Sequence, residues 1–137
     1  MAYWLVKSEP ETWSWAQQAK AGKTSWDGVR NHQAAGYLRA MKKGDLAFFY
    51  HSGDEKQVVG VVKVSGEHKP DPKDETGKFV MVEMAMDKPA KAPVTLTAIK
   101  AEPKLANMVL VKNSRLSVQP VTDAEWKIVC KMAGIAS

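Results

Sequence analysis

Leu46-Ala47-Phe48-Phe49-Tyr50, then Ser52-Gly53-Asp54-Glu55-Lys56, then Gln57-Val58-Val59-Gly60-Val61-Val62-Lys63-Val64, is the stretch on which the fold turns. The first run is apolar at both alternating positions, so it reads as a strand buried on both faces and central in its sheet. Ser52 to Lys56 offers a hairpin loop, and Gln57 to Val64 returns as the antiparallel partner. A glycine inside such a strand, Gly60, predicts a bulge or a close approach to the backbone. Phe79 to Met86 alternates as well, with Val80, Val82, Met84 and Met86 on one face. Three strands in series predict a meander able to close into a small barrel.

On the N-terminal side, Tyr3 to Lys7 reads as a short strand running into the turn Ser8-Glu9-Pro10. Ser14-Trp15-Ala16-Gln17 fits a capping box that starts a short helix, which Gly22 can stop. Thr24-Ser25-Trp26-Asp27-Gly28 reads as a turn that carries an aromatic. Asn31 is a good cap for a second helix, with Ala34, Leu38 and Met41 as its apolar stripe and Gly44 as its end. On the C-terminal side, Ser65 to Lys78 is polar and holds Pro70-Asp71-Pro72, which predicts an exposed connection, and Asp87 to Pro93 reads as a second loop. Thr95 to Leu105 predicts a helical turn interrupted by Pro103, and Leu105 to Val111 fits helix or strand. Arg115 to Val121 alternates as a last strand. Thr122 and Glu125 form a capping box for a final helix, with Val121 and Trp126 as its staple. Trp126, Val129, Cys130 and Ala133 line its inner face, and Gly134 follows as the cap.

The chain has 137 residues, 20 basic and 15 acidic side chains and a net charge of +5, with 45% hydrophobic residues. That length supports one domain over residues 1–137, and the composition excludes a disordered chain. No apolar run approaches a membrane span, and the N-terminus lacks the pattern of a signal peptide. A lone cysteine, Cys130, excludes an internal disulfide and a cysteine-cluster zinc site. The expectation is a cytoplasmic, monomeric protein with no membrane partner, and the mild basic excess permits nucleic acid as a partner.

Enzyme signatures are missing. There is no glycine-rich phosphate loop and no nucleophile elbow. His32, His51 and His68 are scattered without metal-ligand spacing, so neither metal nor cofactor is expected. Ser52, His51 and Asp54 could be drawn as a triad, but adjacent strand residues point to opposite faces.

What remains is polar residues at the ends of apolar segments: Lys7 and Ser8, Trp26 through Asn31, Tyr50 through Ser52, and Asn113 through Arg115. Trp4, Trp13, Trp15 and Trp26 crowd the same N-terminal region. If these ends converge, indole and phenol faces would stack on a flat ligand while Ser, Asn and His read its edge. The same residues also suit plain structural roles, with Ser8 capping a turn, Asn31 a helix, and Trp26 packing on the sheet. Residue types and spacing leave both readings open.

Tyr3-Trp4-Leu5-Val6-Lys7-Ser8-Glu9-Pro10, Trp26-Asp27-Gly28-Val29-Arg30-Asn31-His32-Gln33-Ala34 and Phe48-Phe49-Tyr50-His51-Ser52 resemble the signature segments of the EVE domain. Pro70-Asp71-Pro72 and Arg115-Leu116-Ser117-Val118-Gln119-Pro120 match its later motifs, so the resemblance covers nearly the whole chain in order. It looks like the stand-alone bacterial-type relative of the thymocyte nuclear protein family, without a long basic N-terminal extension. The family's usual Arg after the Gln-Ala pair is replaced by Ala35-Gly36, which removes one basic contact.

The resemblance implies an α+β class, a PUA-like small twisted β-barrel with surrounding helices, related to the YTH domain that reads 6-methyladenosine in an aromatic cage. Its implied function is non-catalytic reading of a modified base, cytosine or adenine, of DNA or RNA. Trp26 would be the stacking wall. Ser8, Asn31 and Ser52 would meet the Watson–Crick edge, with Tyr50 and His51 at the same strand end. Lys7, Arg30 and Arg115 would engage phosphate or else form structural ion pairs. Two alternatives remain open: an enzyme of the related ASCH type acting on nucleic acid or a nucleotide, with Lys7 beside Glu9 or Glu11, and a module for a small molecule or a protein partner.

Overall fold

The computed structural model describes residues 1–136. Strand β1 (Tyr3–Ser8) is followed by α1 (Trp15–Ala21), β2 (Lys23–Trp26), α2 (His32–Ala40), β3 (Leu46–His51), β4 (Gln57–Pro70) and β5 (Val80–Thr95). The chain then runs through α3 (Leu96–Ala101), a 3-10 turn (Pro103–Leu105), α4 (Val109–Lys112), β6 (Val118–Val121) and α5 (Asp123–Ala133). The class is α+β, as the resemblance implied.

The caps form where the residue types demand them. Ser14 and Thr122 make full capping boxes with Gln17 and Glu125, and the Asn31 side chain accepts the Ala34 N–H. β3 is central, between parallel β1 and antiparallel β4, as an apolar run on both faces requires. The meander β3-β4-β5 is present, but the sheet does not close. Its order is β2-β5-β4-β3-β1-β6, leaving β2 and β6 as edges among the described residues. This corrects the barrel expectation, and the physical reason lies in α2. That helix packs against β4, β5 and β6 and shares one apolar core with Trp26 of β2, so side chains rather than ladder hydrogen bonds fill the space on that side of the sheet.

Other boundaries also differ. Thr24 to Trp26 is strand, not turn, because it pairs with Val82 to Met84 of β5. β4 continues to Pro70 and β5 spans Asp87 to Pro93, so polar residues expected in loops form a paired arm with repeated register shifts. Met86, expected inside, is exposed at the end of its alternating face. α2 stops at Ala40 rather than running to Gly44, and β6 begins only at Val118. The ambiguous run before it forms the short α4.

Alternation along the central strands divides the apolar residues between the two faces of the sheet. Trp4, Val6, Phe49 and Val62 meet Leu38 and Met41 and the Trp26 ring on one face. Leu5, Phe48 and Val61 meet Ile99, Leu110, Trp126 and Val129 on the other. Trp126 is stacked between Tyr3, at 4.4 Å, and Phe48, at 4.0 Å, which fixes α5 to the sheet. Cys130 is fully buried on that helix, and burial pushes its thiol up to about 11, so it acts as a small hydrophobe. At Gly60 both expected features occur: the β3-β4 register shifts beside it, and a Cβ there would run into the Trp15 ring.

Candidate functional site

The C-terminal end of β1, the loop after it and the β2-α2 connection enclose a cleft of about 720 Å³, a volume in the range of small-molecule sites. Each wall is fixed by a separate set of bonds. In the loop after β1, the Thr12 and Trp13 N–H groups both donate to the Glu9 carbonyl, making a compact turn. The Ser8 hydroxyl donates to the Trp13 carbonyl at 2.5 Å and ties that turn back to the strand. The Trp13 indole N–H donates to Gln18 Oε1 at 2.7 Å, and the fully buried Gln18 in turn donates to the Met84 carbonyl at 3.1 Å. One indole wall is thereby anchored to β5.

The second indole is Trp26, the last residue of β2. It is 8% exposed, stands edge-on to Phe49 at 5.4 Å, and still lines the cleft. Phe49 also takes the Trp15 ring edge-on at 5.2 Å, so it buttresses two indoles at once.

After Trp26 the chain must turn sharply into α2, and Gly28 supplies a positive φ of 75° for it. Asp71 holds this turn. Its buried carboxylate accepts the Gly28 N–H at 2.9 Å, the Arg30 guanidinium at 3.0 Å and the Lys73 N–H at 2.8 Å. Burial alone would push the Asp71 carboxyl up, but these bonds and the Arg30 charge outweigh it and hold it below its usual value. Lys73 reaches back to Asp27 at 3.1 Å, so the hairpin tip and the loop after β2 are joined twice.

The structure brings five of the expected residues to this cleft: Lys7, Ser8, Trp26, Arg30 and Asn31. Lys7 donates to the Ser114 carbonyl at 2.7 Å and stands 5.7 Å from the Tyr50 ring centre; burial pushes its ammonium pKa down. Arg30 forms the ion pair with Asp71 and leans over the Phe79 ring at 5.3 Å, yet remains part of the rim.

Tyr50, His51, Ser52 and Arg115 do not line the cleft. Tyr50 belongs to the opposite core, and burial raises its phenol pKa. His51 accepts the Trp15 N–H at Nε2, 2.9 Å, so Nδ1 carries the hydrogen bonded to Glu55, also at 2.9 Å. That bond to His51 holds the Glu55 carboxyl below its usual range. Both ring nitrogens are therefore committed, one to the start of α1 and the other to the β3-β4 loop. Ser52 donates its backbone N–H to the Ser8 carbonyl, joining the ends of β3 and β1. Arg115 is exposed, two residues from Ser117, which does line the cleft.

Sequence reasoning missed Trp13, Gln18, Asp71 and Lys73 as parts of the site. Two of them carried a signal, Trp13 by its place in the N-terminal tryptophan cluster and Asp71 by its place between Pro70 and Pro72. Among the described residues no group of three or more His, Cys, Asp or Glu is placed to hold a metal ion, and no helix is long and apolar enough to cross a membrane.

The EVE domain family model matches residues 2–132. The chain belongs to the EVE domain family. Human thymocyte nuclear protein 1 is 34% identical over an alignment covering 96% of this chain and 73% of that protein. Among solved structures, Rpa0253 of Rhodopseudomonas palustris is 58% identical with a TM-score of 0.93, covering 98% of this chain and 94% of its own. The human THYN1 protein, solved in complex with DNA containing 5-methylcytosine, is 33% identical with a TM-score of 0.87 over 100% of both chains. An ASCH protein of Zymomonas mobilis, 11% identical with a TM-score of 0.58 over 96% of this chain and 99% of that one, shares this fold and shows the fold alone.

Proposed function

We propose that this EVE domain is a non-catalytic reader of DNA carrying a modified cytosine, and that it holds one extruded base in the cleft between Trp13 and Trp26. The observation that carries the reading is the pairing of a cleft walled by two indoles with likeness over the whole solved chain of THYN1 in complex with 5-methylcytosine DNA. Stacking one base on such a wall is worth about 1–3 kcal/mol, comparable with the few kcal/mol needed to take it out of a duplex. A buried methyl adds only about 0.8 kcal/mol, so recognition needs the edge as well as the face.

In this reading Trp26 is the stacking wall, Ser8 and Asn31 meet the base edge, and Lys7, Arg30 and Arg115 face phosphate. Tyr50, His51 and Ser52 act from behind, through Lys7, the start of α1 and the end of β1. The protein works as a monomer, and RNA bearing the same base would be admitted wherever the 2′-hydroxyl clears the rim.

The test is a titration of duplexes with one 5-methylcytosine or one cytosine, at two salt concentrations, for the wild type and Trp26→Phe. The expected result is a several-fold preference for the methylated duplex that persists as both affinities fall with salt. Trp26→Phe, which keeps a ring against Phe49, should reduce that preference. Equal affinity for the two duplexes at both salt concentrations would sink the proposal.

A further inference from the structure

We infer that the cleft sorts bases by hydrogen-bond polarity, admitting an edge that carries an amino group beside an unprotonated ring nitrogen and rejecting an oxo edge. This rests on the reading of the cleft as a base site and adds to it which edges can enter.

The argument starts from two commitments already made inside the protein. A carbonyl oxygen cannot donate, so in the bond between the Ser8 hydroxyl and the Trp13 carbonyl the hydroxyl must supply its only hydrogen. Toward a ligand Ser8 Oγ therefore offers lone pairs alone. The Asn31 side chain is fixed in the opposite sense. Its Oδ1 accepts the Ala34 N–H at 2.9 Å as the cap of α2, so the orientation of the amide is set and Nδ2 keeps both hydrogens. Among the described residues Asn31 Nδ2 has no protein partner, and Asn31 lines the cleft with Ser8.

Beside the Trp26 stacking face the cleft thus presents one obligate acceptor, Ser8 Oγ, and one free donor group, Asn31 Nδ2. An extruded cytosine offers, in order along its Watson–Crick edge, the N4 amino donor, the N3 acceptor and the O2 acceptor. The amino donor complements Ser8 and the N3 acceptor complements Asn31, while Trp26 stacks on the face of the ring. Thymine has the same shape and, against 5-methylcytosine, the same methyl group, but it offers O4 as an acceptor and N3–H as a donor. It would set oxygen against the Ser8 lone pairs and N–H against N–H. A site built to hydrogen-bond one edge rejects the other far more strongly than an apolar wall distinguishes two similar shapes. Adenine shares the favoured polarity; uracil and guanine do not.

The experiment compares duplexes that differ at one nucleotide, 5-methylcytosine or thymine, each opposite an abasic site so that neither is held by pairing. The wild type should favour 5-methylcytosine over thymine by at least about tenfold. Asn31→Asp keeps a cap acceptor for α2 but replaces the two free hydrogens with an oxygen. Its added negative charge weakens both duplexes alike, so the readout is the ratio, which should fall to near unity. Equal wild-type affinity for the two duplexes, or a preference for thymine, would overturn the polarity inference while leaving the aromatic site standing. Failure to bind either duplex above an unmodified control would overturn the base-site reading, and this inference with it. An unchanged ratio in Asn31→Asp would remove Asn31 as the donor and refute the assignment made here.

Discussion

Single residues decide how the indoles pack on the sheet behind the cleft. Gly60 is the sharpest case, because the Trp15 ring occupies the space of its missing side chain. Gly60→Ala should destabilise the protein by about 1–3 kcal/mol in a urea titration, the usual cost of forcing atoms into a filled core. Asp45 is a second. It takes the Trp4 indole N–H at 3.0 Å, the Lys42 N–H at 3.0 Å and the Ala2 N–H at 3.1 Å, and these outweigh burial to keep its carboxyl low. Asp45→Ala leaves the Trp4 N–H unpaired, and about 2 kcal/mol of stability should go with it. At this scale the sequence was informative only where a residue type is unusual in its surroundings. Gly60 stood out in a strand of valines, and Trp26 in a polar segment. Gln18, one of two adjacent glutamines on a short helix, did not, because only the packed structure says which of them is buried.

At the scale of elements, helix starts were legible and strand ends were not. Capping is local chemistry, readable from Ser14, Asn31 and Thr122 within a turn of each. The extension of β4 and β5 depends instead on the two strands finding each other across a polar connection, which no window of sequence contains. The clamp at Asp71 belongs to this scale, since it joins the tip of the β4-β5 hairpin to the loop between β2 and α2. Its folded pKa lies below the ordinary value, so its stabilising effect is complete above about pH 4 and is lost as pH falls through the depressed folded value. Asp71→Asn should cost about 2 kcal/mol at pH 7 and make the remaining stability less sensitive to acid, as read by urea titrations at pH 7 and pH 3. Hydrogen exchange at the Gly28 and Lys73 amides should quicken in the same variant.

Over the whole molecule, the central place of β3 could be read from hydrophobic patterning and the α+β class was implied by the resemblance, whereas closure could not be read. Whether a meander becomes a barrel depends on what fills the space between its outer strands, and here that is α2. The net charge of +5 is likewise a property of the whole, and its effect on binding should be set by the few cations at the rim. Lys73, whose side chain is 68% exposed, should contribute one phosphate contact: Lys73→Ala should lower the slope of log affinity against log salt by about 0.9 without altering the preference between bases.

The clamp also bears on how such a reader could diversify. One carboxylate, flanked by two prolines, transmits the position of a distant hairpin to the jaw that carries Trp26. Lengthening or shortening that hairpin would re-aim the jaw while every ligand-facing side chain stayed the same. Two relatives with identical pockets on paper could then differ in what they grip, and the difference would be found some forty residues downstream of the jaw.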